Sequence, residues 1–222
     1  MSSCGTANAD RLDAAKARVE PALRRAVADA GLDWGAAVFM RIFKSENVLE
    51  VWLEDTDGDF ALFKAYPVCA WSGALGPKLK TGDGQAPEGF YFVTPGAMNP
   101  NSDYHLSFNL GFPNAFDRAH GRTGSFLMVH GDCVSIGCYA MTDGGIEEIY
   151  LLADAAFAAG QPFFRVHAFP FRMTDEAMAT YDASPWIDFW RNLKTGYDWF
   201  EEKGAPPNAA VDEKAYVFSD VD

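Results

Sequence analysis

The sequence has few basic residues for its length. Its 222 residues include 18 Lys and Arg against 31 Asp and Glu, which gives a formal net charge of −13 at pH 7. Binding to a nucleic-acid backbone or to an anionic lipid surface depends on clustered positive charge. The composition therefore argues against nucleic acid as a partner.

Long apolar runs are also missing. No stretch approaches the roughly 18 apolar residues that a membrane-spanning helix needs, so no transmembrane segment is predicted. No basic start followed by an apolar segment has the form of an export signal. Cys4 is open to two interpretations: the remnant of a lipid-attachment site, or an incidental cysteine in a disordered tail.

Cysteine is scarce as well, and the spacing of the cysteines does not fit a zinc site. The four cysteines, at positions 4, 69, 133 and 138, form no C-x-x-C pair of the kind found in zinc sites. No metal and no cofactor is predicted. The glycine-rich stretch 76–89 contains Lys78 but no Gly-Lys-Ser/Thr before a helix, so it is not a nucleotide phosphate loop. It is either a solvated loop or a loop that faces the substrate.

Hydrophobic residues make up 49% of the chain, enough for one substantial core. Helical spacing of apolar residues predicts a first helix at 7–30, which Pro21 should kink or divide. Runs rich in β-branched and aromatic residues predict strands at 38–43, 48–54 and 60–70, joined as a meander. With helices at both ends of a β-rich middle, we expect an α+β fold with antiparallel sheets packed face to face.

The second half predicts further strands and helices. Strands are expected at 90–94, 108–111 and 163–169, with a possible short strand at 211–218. Thr142 suits the N-cap of a helix at 145–159, and Thr174 and Ser184-Pro185 begin two more helical segments. We therefore expect an N-terminal helical segment at 1–35, a central domain at 36–170, and a C-terminal helical extension at 171–222 that packs on it.

The candidate catalytic residues lie in one short stretch, from His130 to Cys138. An apolar run, 126–129, leads into His130, and a Gly/Asp/Ser loop then presents Cys138. A free thiol is only slightly ionised at neutral pH, so a catalytic cysteine needs a neighbouring histidine or a helix N-terminus to lower its pKa. A chain reversal through Gly131 and Gly137 would bring the imidazole to the thiol, and the helix after Thr142 could add its dipole. The amides at Gly137, Cys138 and Tyr139 are candidates for an oxyanion hole.

Alternatives to a catalytic pair remain open from the residues alone. His130 and Cys138 could be a buried histidine and a structural thiol. Cys133 and Cys138 could form a disulfide or a redox pair, although their spacing is not C-x-x-C, and Cys69 could pair with Cys133 instead.

The same stretch resembles the signature of the L,D-transpeptidase (YkuD-type) catalytic domains, in which His-Gly precedes Ser-x-Gly-Cys. Further matches narrow the resemblance to the YafK-like branch, which includes the peptidoglycan meso-diaminopimelate protein amidase. The matching segments are Ser72-Gly73-x-Leu75-Gly76-Pro77-Lys78, Gly111-Phe112-Pro113-Asn114-Ala115, Asp117-Arg118-Ala119-His120-Gly121, His130 through Thr142, and Pro170-Phe171-Arg172-Met173-Thr174-Asp175.

The resemblance implies a mostly β, sandwich-like domain in the periplasm that acts on peptidoglycan stem peptides. Cys138 would be the nucleophile and His130 the base, with a thioester formed on a stem-peptide carbonyl at the L-centre of diaminopimelate. An amine acceptor would give a cross-link, whereas water would release a peptidoglycan-linked lipoprotein, as in an amidase. A module that binds peptidoglycan without chemistry is a further alternative.

Substrate contacts are expected from Lys78, Ser135, Arg118 and His120, with His120 also the alternative base. The sequence departs from the general family pattern at two positions. Ile136 stands where most such domains have a second histidine, and Ala140 stands where they have an arginine. The YafK-like branch shares both departures, which indicates altered specificity.

Overall fold

The computed structural model describes residues 6–221, so both interpretations of Cys4 lie outside the described residues. Within this range the chain forms five α-helices and eleven β-strands. In chain order these are α1 Thr6–Asp29, β1 Val38–Phe43, β2 Val48–Glu54, β3 Phe60–Pro67, β4 Gly89–Val93, β5 Met98–Asn99, β6 Ser107–Asn109, α2 Ala115–Ala119, β7 Met128–His130, β8 Tyr139–Ala140, α3 Asp143–Ala158, β9 Phe164–Phe169, α4 Asp175–Thr180, α5 Ile187–Lys203, β10 Asn208–Asp212 and β11 Ala215–Ser219.

The larger sheet has five strands in the order β3-β2-β1-β9-β4. The predicted hairpin is present: β1 and β2 pair antiparallel around the turn at 44–47, with Val38 opposite Leu53. β9 pairs antiparallel with β4 but parallel with β1. The smaller sheet, β5-β6-β7-β8, also contains one parallel pair, β7 with β8, which lies at its edge.

The α+β class is confirmed, but the expectation of purely antiparallel sheets is wrong for these two pairs. In the chain, β9 comes after the four strands of the smaller sheet and after α3. Its pairing with β1 therefore joins segments far apart in sequence and is not part of a meander of consecutive strands. The β7–β8 connection, residues 131–138, is shorter than the dozen or more residues usual for a parallel crossover. Asp132 and Cys133 adopt φ values of 69° and 48°, in a left-handed region that non-glycine residues rarely enter.

The main core lies between the two sheets and is closed by α3. Phe108 of β6 meets Phe164 of β9 edge to face, with ring centroids 5.3 Å apart, and both side chains are fully buried. Thr142 caps α3 as predicted, since its hydroxyl accepts a hydrogen bond from the amide of Gly145 at 3.1 Å. Helix α1 packs on α3 and continues through Pro21 without being divided.

The opposite face of the larger sheet is covered by the C-terminal segment. Phe43 and Phe169 from the sheet pack against Trp190 and Tyr197 of α5 in a second buried cluster. The segment ends in a hairpin, β10–β11, where the sequence predicted at most one strand. The turn at Glu213 and Lys214 has φ values of 43° and 66° without the Asn-Gly or Asp-Gly signal that normally marks such a turn.

A fully buried ion pair fastens the glycine-rich loop to this second cluster. Lys44 donates to Glu88 at 3.0 Å and to the carbonyls of Gly76 and Ala86 at 2.9 and 2.6 Å. The indole of Trp190 donates to the other oxygen of Glu88 at 2.9 Å. Because the charges are paired and their hydrogen bonds are satisfied, burial is tolerated, and α5 holds the loop that reaches the candidate site.

Candidate active site

The register of β7 and β8 brings His130 and Cys138 to one face of the smaller sheet. Val129 pairs with Tyr139 and His130 with Ala140, so the same register sets Cys138 beside Met128. The amide of Met128 accordingly donates to Cys138 Sγ at 3.4 Å. Side chains alternate along a strand, which turns Val129 and Tyr139 into the core and leaves His130 and Cys138 together on the other face.

His130 is held in one tautomer. Its Nδ1 lies 2.6 Å from the carbonyl oxygen of Gly131, which can only accept, so Nδ1 carries the proton and Nε2 is left as the basic nitrogen. The side chain is buried, and burial lowers its pKa although the Gly131 carbonyl and the charge of Asp132 oppose the shift. At neutral pH the ring is therefore uncharged and able to accept a proton.

The thiol of Cys138 is also uncharged at rest. Burial raises its pKa, which the Met128 amide and the positive charge of Lys78 offset only in part. Sγ lies 3.6 Å from the carbonyl oxygen of Phe126, in position to donate. The expected lowering of the thiol pKa is thus wrong.

The loop between the two residues is cross-linked to the rest of the protein. Cys133 forms a disulfide with Cys69, with the two Cα atoms 5.1 Å apart, and Cys138 is a free cysteine. Backbone hydrogen bonds join the same segments, from the amide of Cys69 to Ala140 and from that of Cys133 to Met141. The structure thereby resolves the pairing that the sequence left open and argues against a Cys133–Cys138 disulfide.

Ser135 braces the turn before Cys138. Its hydroxyl donates to the carbonyl of Cys138 at 2.7 Å and accepts from the amide of Gly137 at 3.2 Å. Gly137 has a φ of 133°, and a side chain there would press on Leu127, so glycine is required. Three amides were considered for an oxyanion hole. The amide of Gly137 already donates to the Ser135 hydroxyl, and Tyr139 lies in strand β8, where it is paired with β7. None of the described residues accepts from the amide of Cys138.

Two clefts meet at the pair. The long cleft, of about 550 Å³, and the short cleft, of about 250 Å³, share Tyr104, His130, Ile136 and Cys138. The long cleft is otherwise lined by Lys78, Thr81, Gly82, Asn99, Asn101, Ser102, Asp103, Gly124, Ser125, Phe126, Leu127 and Met128. The short cleft adds Val134 and Ser135. Hydroxyl and amide groups suit the long cleft to a peptide, whereas the short cleft is mainly apolar.

The remaining predicted contacts divide between the cleft and the surface. Lys78 lines the long cleft but is buried and ion-paired with Asp83. Arg118 is exposed on α2 and donates to the carbonyl of Pro113, and His120 stacks on Phe116 with ring centroids 4.1 Å apart. Neither Arg118 nor His120 lines a cleft that contains Cys138.

Tyr104 is the site residue that sequence reasoning missed. Its ring lies against the His130 ring, with centroids 4.8 Å apart. It stands in an irregular segment, 100–106, where neither periodicity nor a motif marks it.

Among the described residues no cluster of three or more His, Cys, Asp or Glu could hold a metal ion. Across residues 6–221 no helix is long and apolar enough to cross a membrane.

Comparison with known proteins identifies the family, although no protein-family model matches the chain. The chain is 47% identical over 185 residues to "Putative L,D-transpeptidase YafK" of Escherichia coli strain K12, covering 83% of this chain and 75% of that protein. The protein of the same name from Escherichia coli O157:H7 matches to the same extent.

A solved structure of a mutant of the helical cell shape determining protein Pgp2 from Campylobacter jejuni has a similar fold. It aligns with a TM-score of 0.51 and 20% identity over 72% of this chain and 54% of that one. The chain therefore spans about half the length of the Pgp2 chain, and this likeness concerns the fold alone. On its identity to YafK over most of its length, the chain belongs to the L,D-transpeptidase family.

Proposed function

We propose that the protein is a peptidoglycan acyltransferase with Cys138 as nucleophile and His130 as general base. A single observation carries the proposal: both side chains lie on the same face of the smaller sheet, in the wall that the long cleft and the short cleft share. The substrate class, stem peptides of peptidoglycan, comes from membership of the L,D-transpeptidase family.

The protonation states suit proton transfer during attack better than a resting thiolate–imidazolium pair. His130 Nε2 takes the thiol proton as Cys138 Sγ attacks a stem-peptide carbonyl, and the imidazolium then gives that proton to the departing amine as the C–N bond breaks. The products of this half-reaction are a thioester and a free amine. The unengaged amide of Cys138 is suited to the oxyanion that forms between them.

The second half-reaction uses the thioester. An acceptor amine attacks the carbonyl carbon, its surplus proton passes to His130, and Sγ leaves as the thiol once it takes that proton back. Two clefts that meet at one thiol suit two peptides, a donor on one side and an acceptor on the other. The donor carbonyl would be that of the L-centre of diaminopimelate.

Hydrolysis is the competing outcome of the same acyl-enzyme. Ile136 is 89% exposed and Phe126 is 76% exposed at the rim of the long cleft, so water can reach a thioester at Cys138 unless the acceptor excludes it. Attack by water would leave a stem carboxylate and, where the departing amine belongs to a lysine, would release a lipoprotein. This observation favours an amidase as the second candidate.

The periplasm is the proposed location. A cross-link between Cys69 and Cys133 persists in an oxidising compartment and is rare in the cytosol. Peptidoglycan is reached from the same compartment.

A digest of peptidoglycan, with and without attached lipoprotein, tests these functions. The protein and its Cys138→Ala variant are incubated with each substrate, and the muropeptides are analysed by mass spectrometry. New dimers from the wild type alone would support the transpeptidase, and released lipoprotein without dimers would support the amidase. No product from either substrate would reject both and favour a binding module.

A further inference from the structure

The aromatic ring of Tyr104 forms one wall around His130. The two ring centroids are 4.8 Å apart and the planes are inclined by 38°. His130 is only 3% exposed, whereas Tyr104 is 44% exposed, so the tyrosine shields the imidazole from solvent. The position of Tyr104 therefore governs how His130 is packed and hydrated.

The segment 102–105, here called the Tyr104 loop, also holds the backbone next to His130. The amide of Gly131 donates to the carbonyl of Tyr104 at 3.0 Å, and the carbonyl of Gly131 accepts from His130 Nδ1 at 2.6 Å. The approach is so close that a Cβ on Gly131 would lie 3.1 Å from the Tyr104 carbonyl and 3.0 Å from the His105 side chain. Gly131 thus links the Tyr104 loop to the tautomer of His130, since its amide bonds to the loop and its carbonyl bonds to the ring.

The loop is itself fixed by residues far away in sequence. Arg11, on α1, donates through one nitrogen to the carbonyls of Ser102 and His105, at 2.6 and 2.7 Å. His105 has a left-handed φ of 68°, and its Nε2 lies 2.6 Å from Glu147 on α3. Glu147 is 3% exposed and is also paired with Arg18 of α1.

We propose that Arg11 and Glu147 are positioning residues that act on His130 through the Tyr104 loop. Helix α1 would then help to set the geometry of the active site. The inference rests on the proposed role of His130 as base. Arg11 and Glu147 are not catalytic residues, since neither lines a cleft that contains Cys138. Their effect is to keep Tyr104 against the imidazole and Gly131 against its Nδ1.

The first test is the titration of His130 by NMR in the wild type and in Arg11→Ala, with the His130 signal assigned from a His130→Gln spectrum. The groups that face His130 are the carboxylate of Asp132, the Tyr104 ring and the Cys138 thiol. Loss of the Arg11 hydrogen bonds should free the loop and hydrate the ring. The pKa of His130, which burial lowers, should then rise toward its ordinary value near 6.5.

The second test is turnover of stem peptides over pH. Because His130 acts as a base only when neutral, a raised pKa moves the acid limb of the pH–rate profile to higher pH. We expect kcat of Arg11→Ala to fall about tenfold or more, since a small displacement of a catalytic group is costly. Arg11→Gln, which keeps an N–H donor, should recover part of the loss and serves if the alanine variant folds poorly.

Lys16→Met is the matched control. Lys16 also joins α1 to α3, through an ion pair with Asp154 at 2.8 Å, but it does not touch the Tyr104 loop. It should leave the His130 titration and kcat as in the wild type. Tyr104→Ala should shift the titration in the same direction as Arg11→Ala, and the shift of the double variant should be smaller than the sum of the two.

Additive shifts, an unmoved titration in both Arg11 variants, or an equal change in Lys16→Met would overturn the inference. A wild type that shows the titration behaviour but no turnover would reject the proposed function instead. The two failures are therefore distinguishable.

Discussion

Removal of the Cys69–Cys133 disulfide should both destabilise the protein and disturb the candidate site. The bridge closes a loop with a sequence separation of 64. In the chain-entropy treatment, a loop of that size corresponds to roughly 4 kcal/mol of unfolding free energy at 25 °C. For a chain of about this length the loss corresponds to a fall in Tm of roughly 10 °C. Both cysteines are exposed, so serine at each position buries no new polar group.

The assay is urea unfolding of the Cys69→Ser/Cys133→Ser variant beside the wild type, followed by tryptophan fluorescence. Peptidoglycan turnover is measured well below the unfolding midpoint. Cys133 lies in the loop that joins His130 to Cys138, so we expect turnover to fall even in the folded variant. Cys138→Ser is the control, because it keeps the bridge and should unfold near the wild type.

An unfolding free energy within about 1 kcal/mol of the wild type would refute the stability argument. Unchanged turnover would refute the claim that the bridge shapes the site. A wild type that takes up a thiol reagent at Cys69 or Cys133 without prior reduction would refute the bridge itself.

Three further predictions concern other parts of the structure. Ser135→Ala removes the bonds that brace Gly137 and Cys138, and kcat on stem peptides should fall about tenfold at unchanged stability; an unchanged kcat would contradict the bracing role. Glu88→Gln leaves the fully buried Lys44 without its counter-charge and should cost roughly 3–5 kcal/mol in urea unfolding, whereas a loss below about 1 kcal/mol would show that the pair is dispensable. Because burial raises the pKa of Cys138, the rate of its alkylation by iodoacetamide should reach half its maximum at a pH above the pKa of an ordinary thiol. A half-maximal rate below that pKa would contradict a thiol that is protonated at rest.

Local patterns were sufficient for most of the individual elements. Runs rich in β-branched and aromatic residues predicted β1 and β2 to the residue, because a hairpin is a local structure whose register follows from its turn. The cap at Thr142 was readable for the same reason, since it joins residues three apart. The order of strands was not readable, because β1 pairs with β9 across more than half of the chain.

The two residues proposed to be catalytic, His130 and Cys138, were chosen from the sequence through their types, their spacing and the flanking glycines, and the structure places them on one face of the smaller sheet. Their protonation states were not readable from the sequence. A nearby histidine suggested a thiol with a lowered pKa, but desolvation of Cys138 raises it, and desolvation depends on the residues that cover the site. The pairing of Cys69 with Cys133 likewise depends on the segments that meet at Ala140, not on spacing in the chain.

What the sequence alone determined is the chemistry available: a histidine and a thiol in one short loop, in an acidic chain with an α+β pattern. Only the tertiary structure decided how that chemistry is held. The parallel β7–β8 pair turns both side chains to one face, and the Tyr104 loop, fastened by α1 and α3, packs against the imidazole. These contacts join residues far apart in sequence, and each depends on the packing of whole elements, which no local pattern records.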